Sequence, residues 1–150
     1  MTAELTVPEP DVVFLAARVL IAACLGAALG LEREWRGKEA GLRTNTLIAL
    51  GAALFTAVSL QVGSGTGDPG RIAAQVVTGV GFLGAGAILH HGATVQGLTT
   101  AAMIWVNAAI GVAAGAGHIR LAVASTGIVL IAMIALTPLD RWLGKKRRPH

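Results

Sequence analysis

The sequence predicts an all-α fold: a polytopic bundle of about five membrane-spanning helices, with a parallel repeat of two helical hairpins. Three observations carry that expectation. Hydrophobic residues make up 54% of the 150-residue chain and charged residues only 13%, with a mean hydropathy of +0.69. A soluble domain carries about 25% charged residues, so this chain cannot cover a water-facing surface. Five apolar stretches reach the length a helix needs to cross the hydrocarbon core, about 17–25 residues. Lys and Arg, finally, collect on alternate connections, as the positive-inside rule requires.

Residues 1–11, MTAELTVPEPD, form an acidic segment placed outside the membrane. Span one covers about 12–31. Its "IAAC" (21–24) has the look of a lipoprotein cleavage box, but the N-terminus lacks a basic n-region and Arg18 interrupts the apolar run, so the span is expected to stay. Arg18 lies about 9 Å below the outer end at 1.5 Å per residue. It either snorkels to the headgroups or pairs with Asp68 or Gln75. Gly26 and Gly30 form a small-xxx-small pair for close helix approach. The single Cys24 excludes an intrachain disulfide and is expected to pack as a small apolar residue.

The first connection, "EREWRGKEAGLR", holds Glu32, Glu34 and Glu39. Glu32 with Arg36, and Glu34 with Lys38, have the i,i+4 spacing and order of helix ion pairs. Span two covers about 45–62. The glycine-rich "GSGTGDPGR" follows, and its Asp68-Pro69 reads as a helix N-cap before a first-turn proline. Span three, about 72–89, is expected at the centre of the bundle. Gln75, Gly79, Phe82 and Gly86 share one helical face, with Gly81 and Gly84 on a neighbouring strip; Gln75 would be an interhelical hydrogen bonder. "HHGATVQG" is a short loop whose adjacent His90 and His91 point apart and make a poor metal clamp. Span four, about 98–115, carries Thr99, Thr100 and a mid-span Asn107 that needs an interhelical or water partner. Thr100, Met103, Ile104 and Asn107 fall on one face, Gly111 and Gly115 form another close-packing pair, and Trp105 packs elsewhere. The tight "GAGH" leads to span five, about 119–137, and residues 138–150 form a basic tail.

An outer N-terminus places Arg33, Arg36, Lys38, Arg43, Arg141, Lys145, Lys146, Arg147 and Arg148 in the cytoplasm. It leaves only Arg71 and Arg120 outside. Trp35 and Trp142 then lie at the cytoplasmic interface. The repeat fits this topology. "GLRTNTLIALGAAL" (41–54) and "GLTTAAMIWVNAAI" (97–110) match at six of fourteen positions with an offset of 56 residues. Chance matching in so Ala-, Gly- and Leu-rich a chain competes with duplication. A duplication would set Glu34 opposite His90, Arg43 opposite Thr99 and Gly51 opposite Asn107.

The formal net charge of +4 does not point to nucleic acid, because the basic residues flank apolar spans rather than interleave with aromatics. No nucleophile–base–acid constellation and no phosphate-binding glycine loop between strand and helix is visible. The carboxylates lie at the membrane surfaces, so no metal site and no cofactor is expected, and the chain does not read as an enzyme.

Three blocks, "GLEREWRGKEAGLRT" (30–44), "DPGRIAAQVVTGVGFLGAGAIL" (68–89) and "GLTTAAMIWVNAAIG" (97–111), together with Arg18, resemble the MgtC/SapB family of bacterial inner-membrane proteins. The resemblance covers about 15–137. Its pattern falls on Arg18, Glu32, Arg33, Gly41, Leu42, Arg43, Thr44, Asp68, Pro69, Arg71 and Gln75. It continues through Gly79, Gly81, Phe82, Leu83, Gly84, Gly86, Gly97, Leu98, Thr99, Thr100 and Trp105. Gln96 stands where a basic residue is common, and Asn45 where histidine often stands. The resemblance implies adaptation to low magnesium and survival inside host cells, in part by acting on the membrane ATP synthase. Longer members add a soluble ACT-like domain, which this sequence is not expected to carry.

Three functions compete. The first is a non-enzymatic modulator that binds a partner in the bilayer, a second copy or another membrane protein, through small-residue helix faces. The second is a small transporter or channel lined by polar groups of spans one, three and four. The third is a structural subunit of a larger complex. The absence of midplane carboxylates favours the modulator.

Overall fold

The structure is a computed structural model that describes residues 12–62, 68, 70–91 and 94–146, with the side chains of 89–91 and 139–146 left out of the description. Five helices follow in order: α1 (Val12–Trp35), α2 (Leu42–Val62), α3 (Arg71–Gly86), α4 (Leu98–Gly115) and α5 (Ile119–Lys146). Between α3 and α4, β1 (Leu89–His91) pairs antiparallel with β2 (Thr94–Gln96), His90 opposite Val95. The all-α class holds, with this small hairpin where a plain loop was expected. The acidic N-terminal segment, and the side chains of His90, His91, Arg141 and Trp142, lie outside the described residues.

Among the described residues, four helices are long and apolar enough to cross a membrane: α1, α2, α4 and Ile119–Pro138 of α5. The fifth, α3, has 16 residues, a rise of about 24 Å against a hydrocarbon core of about 30 Å. It packs between the end of α2 and the start of α4. Its first N–H groups meet Ser59 near the end of α2, and its last turns reach Ala101 at the start of α4.

Several boundaries differ from the sequence reading. Helix α1 continues past Leu31 to Trp35, carried by the Glu32–Arg36 ion pair across one turn. Helix α3 stops at Gly86, where Ala87 N–H bonds back to Leu83 and Gly84 carbonyls and the chain turns into the hairpin. Helix α5 runs through Pro138 to Lys146, so most of the expected basic tail is helical.

Alanine and glycine set the packing. One core cluster joins Ala22, Leu29, Ala49, Ala53, Met103 and Ile110; a second joins Ala52, Val76, Val80, Ile104 and Ala108. Backbones approach closely where these small residues meet. A Cβ on Gly26 would lie 2.6 Å from the Asn45 carbonyl oxygen, and one on Gly30 2.7 Å from Leu42 Cα. On α4, a Cβ at Gly111 would sit 2.8 Å from Ala52 Cβ, and one at Gly115 2.8 Å from Ala53 Cα. Helices α1, α2 and α4 therefore form the centre.

Helix α3 is not central. A Cβ at Gly79, Gly81 or Gly86 would meet nothing within 4 Å, Gly84 makes only ordinary contact with Ala101, and Phe82 is 81% exposed. The glycine stripe that suggested a central helix is an open face in the single chain. Cys24 is likewise on the outside of the bundle.

Candidate functional site

The helix starts create a polar centre at one end of the bundle. Helix α1 ends at Trp35, and the turn to α2 passes through left-handed Gly37 (φ 60°) and Ala40 (φ 53°). Lys38 is thereby carried beyond the helix, and Glu34 does not pair with it. Instead Glu34 Oε2 accepts from Leu42 N–H at 2.9 Å, satisfying a donor of α2's first turn. At the other expected pair, Glu32 meets Arg36, and Arg36 also donates to the Thr137 hydroxyl of α5.

Asn45 and Asn107, both fully buried, link this turn to the middle of α4. The Asn107 amide donates to the Asn45 carbonyl at 2.6 Å and to Asn45 Oδ1 at 3.1 Å. Asn45 in turn donates to the carbonyls of Ala40 and Gly41. Two amides thus hold a left-handed alanine in place, a conformation L-residues with a Cβ rarely adopt. Asn107 Oδ1 is buried without a hydrogen-bond partner among the described residues.

Arg33 is the buried cation of the cluster, 2% exposed. Its Nη2 donates to Thr100 Oγ1 at 2.7 Å and to the Glu39 carbonyl at 3.4 Å. No ion pair involves it among the described residues. Removing a partner from a buried charge is costly, so Thr100 is fixed by Arg33 as much as by its own helix. The other buried threonine hydroxyls described, Thr56 and Thr126, bond back to their own helices.

The remaining residues singled out in the sequence lie apart from this centre. Arg43 and Thr44 are exposed. With Glu39 and Thr100 they form the polar mouth of a groove of about 970 Å³ between α2, α3 and α4, which Gln75 also lines. Gln75 is exposed and hydrogen-bonds to no other helix among the described residues. Thr99 is exposed beside the buried Thr100, and Trp105 is 54% exposed. Arg18, at the far end, sets its guanidinium under the α4–α5 turn, with Cζ 3.1 Å from where a Gly117 Cβ would stand. It pairs with neither Asp68 nor Gln75 among the described residues.

Asp68 does not cap α3 in the expected way. Its Oδ1 accepts from Gly70 N–H at 2.9 Å, while the N-cap position is Gly70, with no side-chain cap. The capping oxygen comes from Ser59 of α2, whose Oγ accepts from Ile72 N–H at 3.2 Å and Ala73 N–H at 3.3 Å. Arg71, at α3's first position, is exposed.

Sequence reasoning passed over Ser59 altogether and noted Asn45 only as a departure from a family pattern. Asn45 was findable by the rule that singled out Asn107, since an amide inside an apolar run needs a partner. Ser59 was not, because the N–H groups that donate to it lie on another helix.

Comparison with known proteins gives the chain relatives over most of its length. A family model described as the MgtC family matches residues 19–142. The chain is similar to an uncharacterized protein of Synechocystis, 50% identical over 126 residues, which cover 84% of this chain and 53% of that protein. It is similar to Protein MgtC of Salmonella typhimurium, 52% identical over 118 residues covering 79% and 50%. It is similar also to Protein MgtC of Brucella abortus, 50% identical over 115 residues covering 77% and 48%. The chain spans about half the length of these relatives. No solved structure matches it.

Proposed function

The chain belongs to the MgtC family, and on that premise we propose that it is a partner-binding protein of the bacterial inner membrane, without chemistry of its own, that engages another helix along α3. One observation carries the reading. Gln75, Gly79, Phe82 and Gly86 make a continuous face with an amide, small residues and a large ring, and nothing among the described residues covers it. Small residues let a second helix approach closely, and an amide facing lipid gains by bonding across such an interface. The partner is a second copy or another membrane protein, with the membrane ATP synthase and a link to magnesium limitation as the candidates the family resemblance supplies. Its N-terminus is outside and its C-terminus cytoplasmic, on the strength of the Lys and Arg distribution.

A transport path finds less support. Beyond Asn107 the α2–α4 contact closes to backbone distance at Gly111 and Gly115, so the buried polar centre ends in close-packed alanine. Purification from native membrane in mild detergent tests the proposal. Wild-type protein should retain a partner, and Gly79→Leu, whose side chain enters space open in the single chain, should lose it while melting at an unchanged temperature. Equal retention by the two proteins would refute the reading.

A further inference from the structure

A different end of the molecule offers a ligand site. Helix α4, 18 residues long, begins after Gly97, a left-handed N-cap (φ 86°) with no side-chain cap. The N–H groups of its first turn have no intrahelical acceptor, and the helix dipole adds partial positive charge there. Such an end binds phosphate-type anions. A second, independent feature converges on it. The Arg33 guanidinium, 2% exposed, is held against α4's first turn by its bond to Thr100, and its Nε is buried with no hydrogen-bond partner among the described residues.

Both features line a single cavity of about 1240 Å³, together with Arg36, Lys38 and Thr99. Its acids are Glu32 and Glu39. Arg36 pairs with Glu32, Glu39 gives Arg33 its carbonyl, and both carboxylates lie near enough to Arg33 to act on its charge. Among the described residues lining the cavity, Arg33, Arg36, Lys38 and the helix end outweigh the carboxylates of Glu32 and Glu39. The same cavity is bordered by exposed Trp35, Leu98 and Leu136, so an anion carrying an apolar tail meets a matching rim.

We propose that this cavity binds a phosphate monoester or diester, seated on the N-terminus of α4 and the Arg33 guanidinium, with Lys38 and Thr99 completing the contacts. The chemistry is that of a phospholipid headgroup or of a free phosphate, and the apolar rim favours the lipid.

The test uses the full chain in lipid nanodiscs of phosphatidylcholine, with and without phosphatidic acid. Bound lipid is measured after detergent extraction, and inorganic phosphate is the soluble probe. Phosphatidic acid should stay with the protein in preference to phosphatidylcholine. Lys38→Gln should lower that retention about fivefold, the worth of one basic residue near an anionic headgroup, and Thr99→Val should lower it to a lesser degree. Arg120→Gln, exposed at the opposite end, should leave it unchanged. All three side chains are exposed, so folding is not at stake. Undisturbed retention in millimolar phosphate assigns the lipid as the source. Displacement by phosphate, with phosphate binding in phosphatidylcholine discs that Lys38→Gln weakens, assigns the free anion to the same site. Equal retention of both lipids with no phosphate binding overturns the proposal, as does an Arg120→Gln loss equal to that of Lys38→Gln.

Discussion

Gly111 and Gly79 both sit in the interior of a helix, and the structure predicts opposite fates for an added methyl group. At Gly111 the new Cβ would stand 2.8 Å from Ala52 Cβ and 3.0 Å from Ala49 Cα, whereas at Gly79 it meets nothing within 4 Å. The Ala49 carbonyl oxygen is closer still, and ordinary contact begins near 3.4 Å, so Gly111→Ala must force α2 and α4 apart by about an ångström, given how closely interiors pack. Asn107 lies one turn away on the same interface, and its 2.6 Å bond to the Asn45 carbonyl would lengthen with it. Overpacking of this kind costs about 1–3 kcal/mol. Both substitutions gain the same helix propensity, about 1 kcal/mol over glycine, so their difference isolates the clash. Thermal unfolding of the two purified variants in one detergent is the assay. Gly111→Ala should melt below Gly79→Ala by about 2–4 °C for each kcal/mol. Equal melting temperatures would mean that the α2–α4 contact is not close, and the argument against a transport path would fall with it.

Cysteines placed singly at Ser64 and His91, in a Cys24→Ala background, should label from opposite sides of the membrane; labelling of both from one side sinks the five-span topology and, with it, the repeat. Ser59→Ala should destabilise by about 1 kcal/mol, the value of a lost helix cap, measured by chemical unfolding in detergent. An unchanged midpoint would remove Ser59 from that role. At Asp68, alanine should lower folded yield in membranes more than asparagine does, since only asparagine keeps an acceptor for Gly70 N–H; matching wild-type yields in both would reject the turn's importance. Liposomes holding the purified protein should take up no more magnesium than empty vesicles, even with a negative interior. Saturable uptake abolished by Asn107→Ala would move transport to first place.

The membrane class and the helix order were legible because apolar length and charge placement are properties of each segment alone. The starts of α2 and α4, Leu42 and Leu98, keep the 56-residue offset of the sequence repeat. Partners were harder to read. A face of Gln75, Gly79, Phe82 and Gly86 announces close packing, but the same pattern serves an internal neighbour and an external one. The sequence placed α3 at the centre, and the structure leaves that face open. The Glu34–Lys38 pair failed for a local reason, the helix ending at Trp35 before the left-handed Gly37 and Ala40. The cap on α3 failed for a long-range one, since Ser59 is brought to Ile72 and Ala73 only by the packing of α2 on α3. Arg33 was flagged as part of a motif, yet its burial and its bond to Thr100 depend on α1 and α4 meeting at their polar ends.

Cysteine cross-linking in native membranes tests the central claim, that α3 presents the partner surface, most directly. Phe82→Cys and Ile128→Cys, each in a Cys24→Ala background, place one thiol on α3 and one on the outer face of α5, where Phe82 and Ile128 are both exposed in the single chain. A short bifunctional thiol–amine reagent should trap a defined larger species from Phe82→Cys, of either two copies or a copy with another protein, and none from Ile128→Cys. No adduct at position 82, or equal adducts at both positions, would contradict the account.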